Sequence, residues 1–298
     1  MRIFITSATG YVGAAVARCL RAHGHSISAL ARTPHSEQRL RSTGIQIVPG
    51  DLARPESYRE AAAQADVIVH TAFEYSPDGA ENLELDLQAT RALLRGQRLI
   101  YTSNGYRPRY PAERAVLATG TSNSVLRLGM VYGGTGGGTI ISLFGSAHRS
   151  GHLPYLREDA ANHWSLIHLE DLAELYARIV ATSAAGAFDA VDGHPLTVQQ
   201  TFDRLGAVCD VPSSMQPETV VKDVLDEHTV AVMHRDIALR STRAQGSRCY
   251  ALAAADWAAD RVRAGESAAA LLARRSTRPL GTNPAGTRRA ALACGPWL

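Results

Sequence analysis

Eight residues near the start of the chain, Thr6-Ser7-Ala8-Thr9-Gly10-Tyr11-Val12-Gly13, follow the apolar run Ile3-Phe4-Ile5 and open a helical pattern. Small residues at a strand-to-helix turn let the backbone approach an anion closely, and the amides and dipole of the following helix then face it. The chemistry this suits is the grip of a pyrophosphate, with Thr6, Ser7, Thr9, Gly10, Tyr11 and Val12 as contacting residues. Glycines before a helix also occur in plain turns. The place of this pair directly behind the first strand is what argues for a phosphate loop.

The second apolar run ends Leu30-Ala31-Arg32-Thr33. An acidic residue about twenty positions beyond the glycines would bind the ribose hydroxyls of an adenosine. Arginine suits a 2′-phosphate instead, because Arg32 can form a bidentate, charge-assisted pair with it, and His35 or Arg39 can add to the pair. The expected cofactor is therefore NADP, with NAD less favoured. A solvated surface arginine is the alternative.

The elements that must carry these residues follow from hydrophobic periodicity. Strands are expected over 2–6, 26–31, 45–48, 67–70, 98–101 and 124–128, with helices near 11–22, 56–64, 83–94 and 112–118. Such alternation is the sequence form of stacked βαβ units, an α/β fold with a doubly wound parallel sheet that binds ligands at the carboxyl ends of its strands. A dinucleotide-binding core is expected over 1–128. The glycine-rich run at 133–138 and the apolar segment 139–144 then mark entry into a smaller substrate region over 129–275. That region is interleaved with the core, because helix 169–181 and strand 187–191 read as a return to the sheet, before a further helix over 197–209. From about residue 241 the chain becomes Ala/Arg-rich, with one helix expected near 251–274 and a loose tail over 276–298.

Composition narrows the classes. The 298 residues are 45% hydrophobic and 20% charged, an ordinary globular balance. No stretch approaches the roughly 18 uninterrupted apolar residues of a spanning helix. The opening lacks a secretory signal, so a cytoplasmic location is expected. The net charge of +3 is dispersed rather than gathered into a basic stripe. Neither nucleic acid nor a membrane is expected as a partner; a small-molecule substrate and a second copy of the chain are the candidates. Cys19, Cys209, Cys249 and Cys294 are scattered, with no Cys-x-x-Cys pair and no histidine read at zinc-ligand spacing, so free thiols and no metal site are expected. His148 and His152 flank Gly151 in the substrate region, either touching substrate or simply exposed.

Several segments in order carry a resemblance: TSATGYVG at 6–13, GDL at 50–52, DVIVHTA at 66–72, LIYTSN at 99–104, VLRLGMVYGG at 125–134 and SLIHLEDLAELY at 165–176. Together they resemble the extended or atypical branch of the short-chain dehydrogenase/reductase superfamily, the epimerase/dehydratase-like proteins, over about the first 180 residues. The resemblance implies Asp51 and Leu52 beside the adenine, Thr71 and Ala72 beside the cofactor ribose, and Gly129, Met130 and the following residues to Tyr132 near the nicotinamide. It also implies a structural duty for His163, His168 and Asp171 in place of a metal site or triad. One departure is Ser7, which stands at the family's first glycine.

The resemblance further implies a tyrosine activated by a lysine four residues later, with a nearby Ser or Thr polarising the substrate oxygen. Here the pattern fails. Lys222 is the only lysine of the chain and is preceded at that spacing by Glu218, so the usual pair is absent. Two registers compete. In one, Tyr110 and Arg114 keep the spacing with a guanidinium as the cation. In the other, the segment 112–118 aligns with the helix beyond the family's lysine, which puts Arg109 at the lysine position and Gly105 at that of the tyrosine. The oxygen-polarising residue aligns with Ser103 or Asn104, either of which donates a hydrogen bond, and Tyr106 is a spare acid.

The function these readings favour is an NADP-dependent oxidoreductase acting on a carbonyl or secondary alcohol of a small molecule. The alternatives are a redox-silent NADP(H)-binding regulator similar to the NmrA-like proteins, an epimerase or dehydratase, and a non-redox lyase or cyclase.

Overall fold

The structure, a computed structural model, describes residues 1–73, 82–104, 110–119, 122–134, 138–191 and 195–239, without the side chain of Tyr110. The expected helix near 251–274 and the expected tail lie outside the described residues. The first half runs β1 (Arg2–Thr6), α1 (Tyr11–Ala22), β2 (Ser26–Ala31), α2 (Pro34–Arg41), β3 (Gln46–Pro49), α3 (Arg59–Ala63), β4 (Val67–His70), α4 (Leu83–Leu93), β5 (Arg98–Ser103), α5 (Tyr110–Leu117) and β6 (Ser124–Leu128). It continues with β7 (Met130–Tyr132), α6 (Thr139–Ser150), β8 (Leu153–Leu156), β9 (His163–Trp164), β10 (Leu166–His168), α7 (Leu169–Thr182) and β11 (Gly186–Ala190). The last described elements are β12 (Leu196–Thr197), α8 (Val198–Cys209), β13 (Ser213–Gln216), α9 (Glu218–Val224) and α10 (Glu227–Met233).

Seven strands form one parallel sheet in the order β11-β6-β5-β4-β1-β2-β3. Successive side chains of a strand point to opposite faces, and β1 shows why its run is apolar throughout. Ile3 and Ile5 enter one core with Val16 and Leu20 of α1, Leu40 of α2 and Leu172 and Tyr176 of α7. Phe4 enters the other with Tyr58, Leu93 of α4, Ala112 and Val116 of α5. A sheet covered on both faces needs no polar side, so strand sequences read as continuous hydrophobic runs. The strand order reverses at β1, whose neighbours are β2 and β4, and the crevice at such a switch point is where this architecture takes ligands.

A second, smaller core gathers Tyr132, Leu143, Tyr155, Trp164, Phe202, Val221 and Met233. Three two-stranded sheets, β10-β7, β12-β9 and β13-β8, brace it. The chain returns from this region to the main sheet through α7 and β11, which pairs with β6.

Some boundaries differ from expectation. Helix 56–64 is a 3-10 turn (Pro55–Ser57) followed by α3, because Tyr58 between them leaves the helical region at φ −131°. The third strand lies one residue later and the fifth runs two residues further. The short helix α2 was not expected: only Leu40 of its eight residues is buried, so it carries no apolar stripe, and Thr33 starts it by capping the Ser36 amide.

Candidate functional site

The turn between β1 and α1 is built tightly. Ser7 takes a left-handed backbone at φ 57°, and its carbonyl accepts the Gly10 amide at 2.9 Å. A β-carbon on Gly13 would overlap the Ser7 carbonyl oxygen and lie 2.8 Å from Thr71 Oγ1; one on Gly10 would lie 2.7 Å from Ser7 Oγ. The glycines therefore let helix α1 close against its own leading turn. Helix α1 begins at Gly10 with no side-chain cap and no acidic residue in its first turn. Its leading amides and positive dipole end are left for an external anion. Thr9, Tyr11 and Val12 border this end, half-buried. The arrangement fits a dinucleotide diphosphate.

Thr6 does different work from that expected. It is fully buried, so it braces the loop instead of facing a ligand. Its Oγ1 accepts the amides of Thr71 (3.1 Å) and Ala72 (3.0 Å), while Thr71 Oγ1 donates to the Thr6 carbonyl at 2.5 Å. A hydroxyl has two acceptor sites and one proton, so the Thr6 proton goes to His70 Nδ1, 2.8 Å away. His70 then carries its hydrogen on Nε2, 3.7 Å from Asp86 Oδ1, and Asp86 Oδ2 accepts the Tyr101 hydroxyl at 2.5 Å. This buried chain ties β1, β4, α4 and β5 together beneath the half-exposed Thr71 and Ala72.

At the other side of the switch point, Arg32 follows the end of β2 and is exposed, as are His35 and Arg39 of α2. Gly50 donates its amide to the Ala31 carbonyl at 3.0 Å, and a β-carbon there would lie 2.6 Å from Ser57 Oγ. Asp51 turns its carboxylate onto the Ala53 amide (3.0 Å) and toward Arg54 (3.9 Å), while Leu52 is buried and its carbonyl accepts from Tyr58.

The expected proton-transfer residues meet unequal fates. Ser103 is fully buried on the face shared with Tyr101, whereas Asn104, one residue past it, is half-buried. Tyr110 and Arg114 share α5, so their four-residue spacing is one helical turn, and Arg114 is exposed. The inward face of that helix instead presents Glu113, whose Oε2 takes both Nε and a terminal nitrogen of Arg127 at 2.9 Å. Gly105, Tyr106, Arg109 and the Tyr110 side chain lie outside the described residues. Lys222 Nζ, of the chain's one lysine, is 2.6 Å from Glu218 Oε1 on α9, an exposed pair.

The sheet is left at Gly129, where a β-carbon would lie 2.5 Å from the Ser165 carbonyl oxygen, which itself accepts the Met130 amide at 2.7 Å. Gly129 is buried and Met130 half-buried. Beyond them Tyr132 packs edge-on against His168, their rings 5.2 Å apart. His168 caps α7 by accepting the Glu170 amide, and a side chain on Gly133 (φ 98°) would collide with its ring. Sequence reasoning missed one connection: the Tyr11 hydroxyl donates to the Gly133 carbonyl at 2.7 Å. Burial and the Glu170 carboxylate push the Tyr11 phenol up to about 12, so it stays a donor at neutral pH. Residues 135–137 of the glycine-rich run lie outside the described residues.

Two of the other histidines singled out in the sequence make local contacts. His163 Nδ1 is 3.0 Å from Asp236 Oδ1, whose oxygen also accepts the His163 amide. His152 Nε2 is 2.8 Å from Ser214 Oγ, and His148 is exposed in the last turn of α6.

Residues 1–91 match the model of the NmrA-like family. An uncharacterized protein of Schizosaccharomyces pombe is 26% identical over 242 residues, 71% of this chain and 82% of the relative. A 3-diazoavenalumate denitrifying reductase of a Streptomyces species is 26% identical over 265 residues, 71% of this chain and 83% of the relative. Among solved structures, the UDP-glucose 4-epimerase of Thermus thermophilus in complex with NAD shares the fold with a TM-score of 0.57 at 17% identity, covering 80% of this chain and 100% of that one. These likenesses bear out the resemblance to the extended short-chain dehydrogenase/reductase superfamily and its doubly wound fold. No helix among the described residues is long and apolar enough to cross a membrane.

Proposed function

We propose that this chain, of the extended short-chain dehydrogenase/reductase type, is an NADP-dependent oxidoreductase for a carbonyl or secondary alcohol of a small molecule. The observation that carries the proposal is the uncapped start of α1 behind a turn closed by Ser7, Gly10 and Gly13, with the exposed Arg32 rather than an acidic residue at the end of β2. The diphosphate would lie on the α1 amides, the adenosine 2′-phosphate on Arg32, and the adenine near Asp51 and Leu52. Thr71 and Ala72 would meet the ribose, and Gly129 and Met130 would border the nicotinamide. When bound, the nicotinamide supplies or accepts hydride.

The protein's own share is orientation and proton handling. Asn104 has the exposure to hold the substrate oxygen, and Ser103 lies buried behind it. Tyr110 would move the proton, its phenolate favoured by the permanent charge of Arg114 one turn along. The reductase of the Streptomyces relative lends the reading support.

The test is titration of the purified chain with NADPH and NADH, followed by an aldehyde and ketone screen. Tighter binding of NADPH together with substrate-dependent oxidation of it is the expected result; indifference to both nucleotides overturns the proposal. A redox-silent regulator is the second reading, favoured by the NmrA-like match over residues 1–91 and by the missing lysine. It predicts tight NADPH binding with no turnover across the screen.

A further inference from the structure

At the end of α1 remote from the phosphate loop, three side chains from two helices converge. Cys19 and His23 stand one turn apart at the close of α1, and Glu174 faces them from α7, 155 residues from Cys19 along the chain. Cys19 Sγ lies 3.8 Å from Glu174 Oε2, and His23 Nε2 lies 3.6 Å from the same oxygen. One ligand atom from each residue falls within 4.8 Å of the others. With metal bonds of about 2.3 Å to sulfur and about 2.0 Å to nitrogen and oxygen, the edges of a tetrahedron are about 3.3–3.5 Å. The sulfur–oxygen separation of 3.8 Å and the nitrogen–oxygen separation of 3.6 Å are close to those edges, while the sulfur stands 3.8 Å from Nδ1 of the imidazole, so the ring must turn to bring Nε2 to the ion.

A second feature prepares the histidine. His23 Nδ1 lies 2.9 Å from the Cys19 carbonyl oxygen, an acceptor only, so the ring donates from Nδ1, and Nε2, which faces Glu174 at 3.6 Å, is the nitrogen left to ligate a metal in place of its proton. A ligating imidazole characteristically has its other nitrogen hydrogen-bonded in this way to a carbonyl. Glu174 is prepared as well: Arg178 Nε holds its Oε1 at 3.4 Å, leaving Oε2 turned to the cluster. Cys19 and Glu174 are part-buried and His23 is exposed, so an ion could enter from solvent.

We propose that Cys19, His23 and Glu174 form a binding site for a zinc-type divalent cation, held by sulfur, imidazole nitrogen and carboxylate oxygen with water in the fourth position. The donor set selects the class: one thiolate and one imidazole favour a borderline-soft ion over magnesium or calcium, which take oxygen. On binding, the Cys19 thiol releases its proton to solvent as the sulfur–metal bond forms, so affinity falls in acid. The ion would clamp α1 to α7 beside the Arg18–Glu170 pair, 2.6 Å apart, that already joins them. The sequence reading expected no metal site; Cys19 and His23 are four residues apart, and their third partner is invisible along the chain.

Cobalt(II) titration of the reduced full-length chain tests the site, because cobalt bound to a thiolate gives a near-ultraviolet charge-transfer band that zinc bleaches on displacing it. The variant in which Cys209, Cys249 and Cys294 are all serine is expected to keep the band, while C19S abolishes it. H23Q and E174Q are expected to weaken cobalt affinity at least tenfold, with circular dichroism confirming an unchanged fold. No band in the wild type, or a band that survives C19S, overturns the site. Unaltered affinity in both H23Q and E174Q does so equally, leaving Cys19 an adventitious thiol.

Discussion

Gly13 lies directly against the carbonyl of Ser7, so close that no methyl group fits between them. The contact joins the first turn of α1 to the residue that redirects the chain out of β1. Because the obstacle is backbone, it cannot rotate away. Gly13→Ala is expected to cost roughly 1–3 kcal/mol of stability by overpacking and to lower dinucleotide affinity as the turn opens. Thermal melts and NADPH titration check both; an unchanged melting temperature contradicts the packing argument.

Arg32→Ala is expected to weaken NADPH at least tenfold, the scale of a lost charge-assisted hydrogen bond of about 1.5–3 kcal/mol, and to leave NADH nearly unaffected. Equal changes for both nucleotides would remove the 2′-phosphate from Arg32.

Tyr110→Phe is expected to reduce turnover by roughly 10²–10⁴-fold, the range for a lost general acid or base, with NADPH binding retained. Arg114→Ala is expected to lower turnover as well, again with NADPH binding retained. Full activity in Tyr110→Phe rejects this register.

The framework was legible because burial wrote itself into local sequence. β1, β2, β4 and β6 and helix α1 match their expected bounds, since Ile3, Phe4 and Ile5 or Val67, Ile68 and Val69 must be apolar to lie between two helical layers. Gly10 and Gly13 were legible for the same reason, as residues at a crowded turn. Strands β7, β9 and β12 have only two or three residues each, too few for any alternation, and find partners far along the chain. Likewise the expected duty of Thr6 was misread: only the fold reveals that two amides from beyond β4 consume its oxygen. No spacing rule joins Cys19 to Glu174.

Tyr101→Phe is expected to destabilise the fold by about 1–3 kcal/mol, because it strips a buried carboxylate oxygen of Asp86 of its donor. Denaturant unfolding reads this directly. An unchanged midpoint would mean that Asp86 is satisfied without the phenol.

Tyr11→Phe removes the bond to Gly133. The phenol's folded pKa of about 12 lies above the ordinary 10.0, so the neutral form is favoured by folding. Its contribution is complete below pH 10.0 and disappears as pH rises toward about 12. The wild type should therefore exceed Tyr11→Phe in stability at neutral pH, by about 0.5–1.5 kcal/mol for a hydrogen bond, with the gap closing over that alkaline interval. Parallel melts across it would show the bond to be inert.

That same bond spans 122 residues of chain, from the opening of α1 to the rim of the second core. It works as a latch with a phenol for one jaw and a backbone oxygen for the other. Lifting residue 133 unfastens this jaw and releases the Tyr11 hydroxyl at the very start of α1.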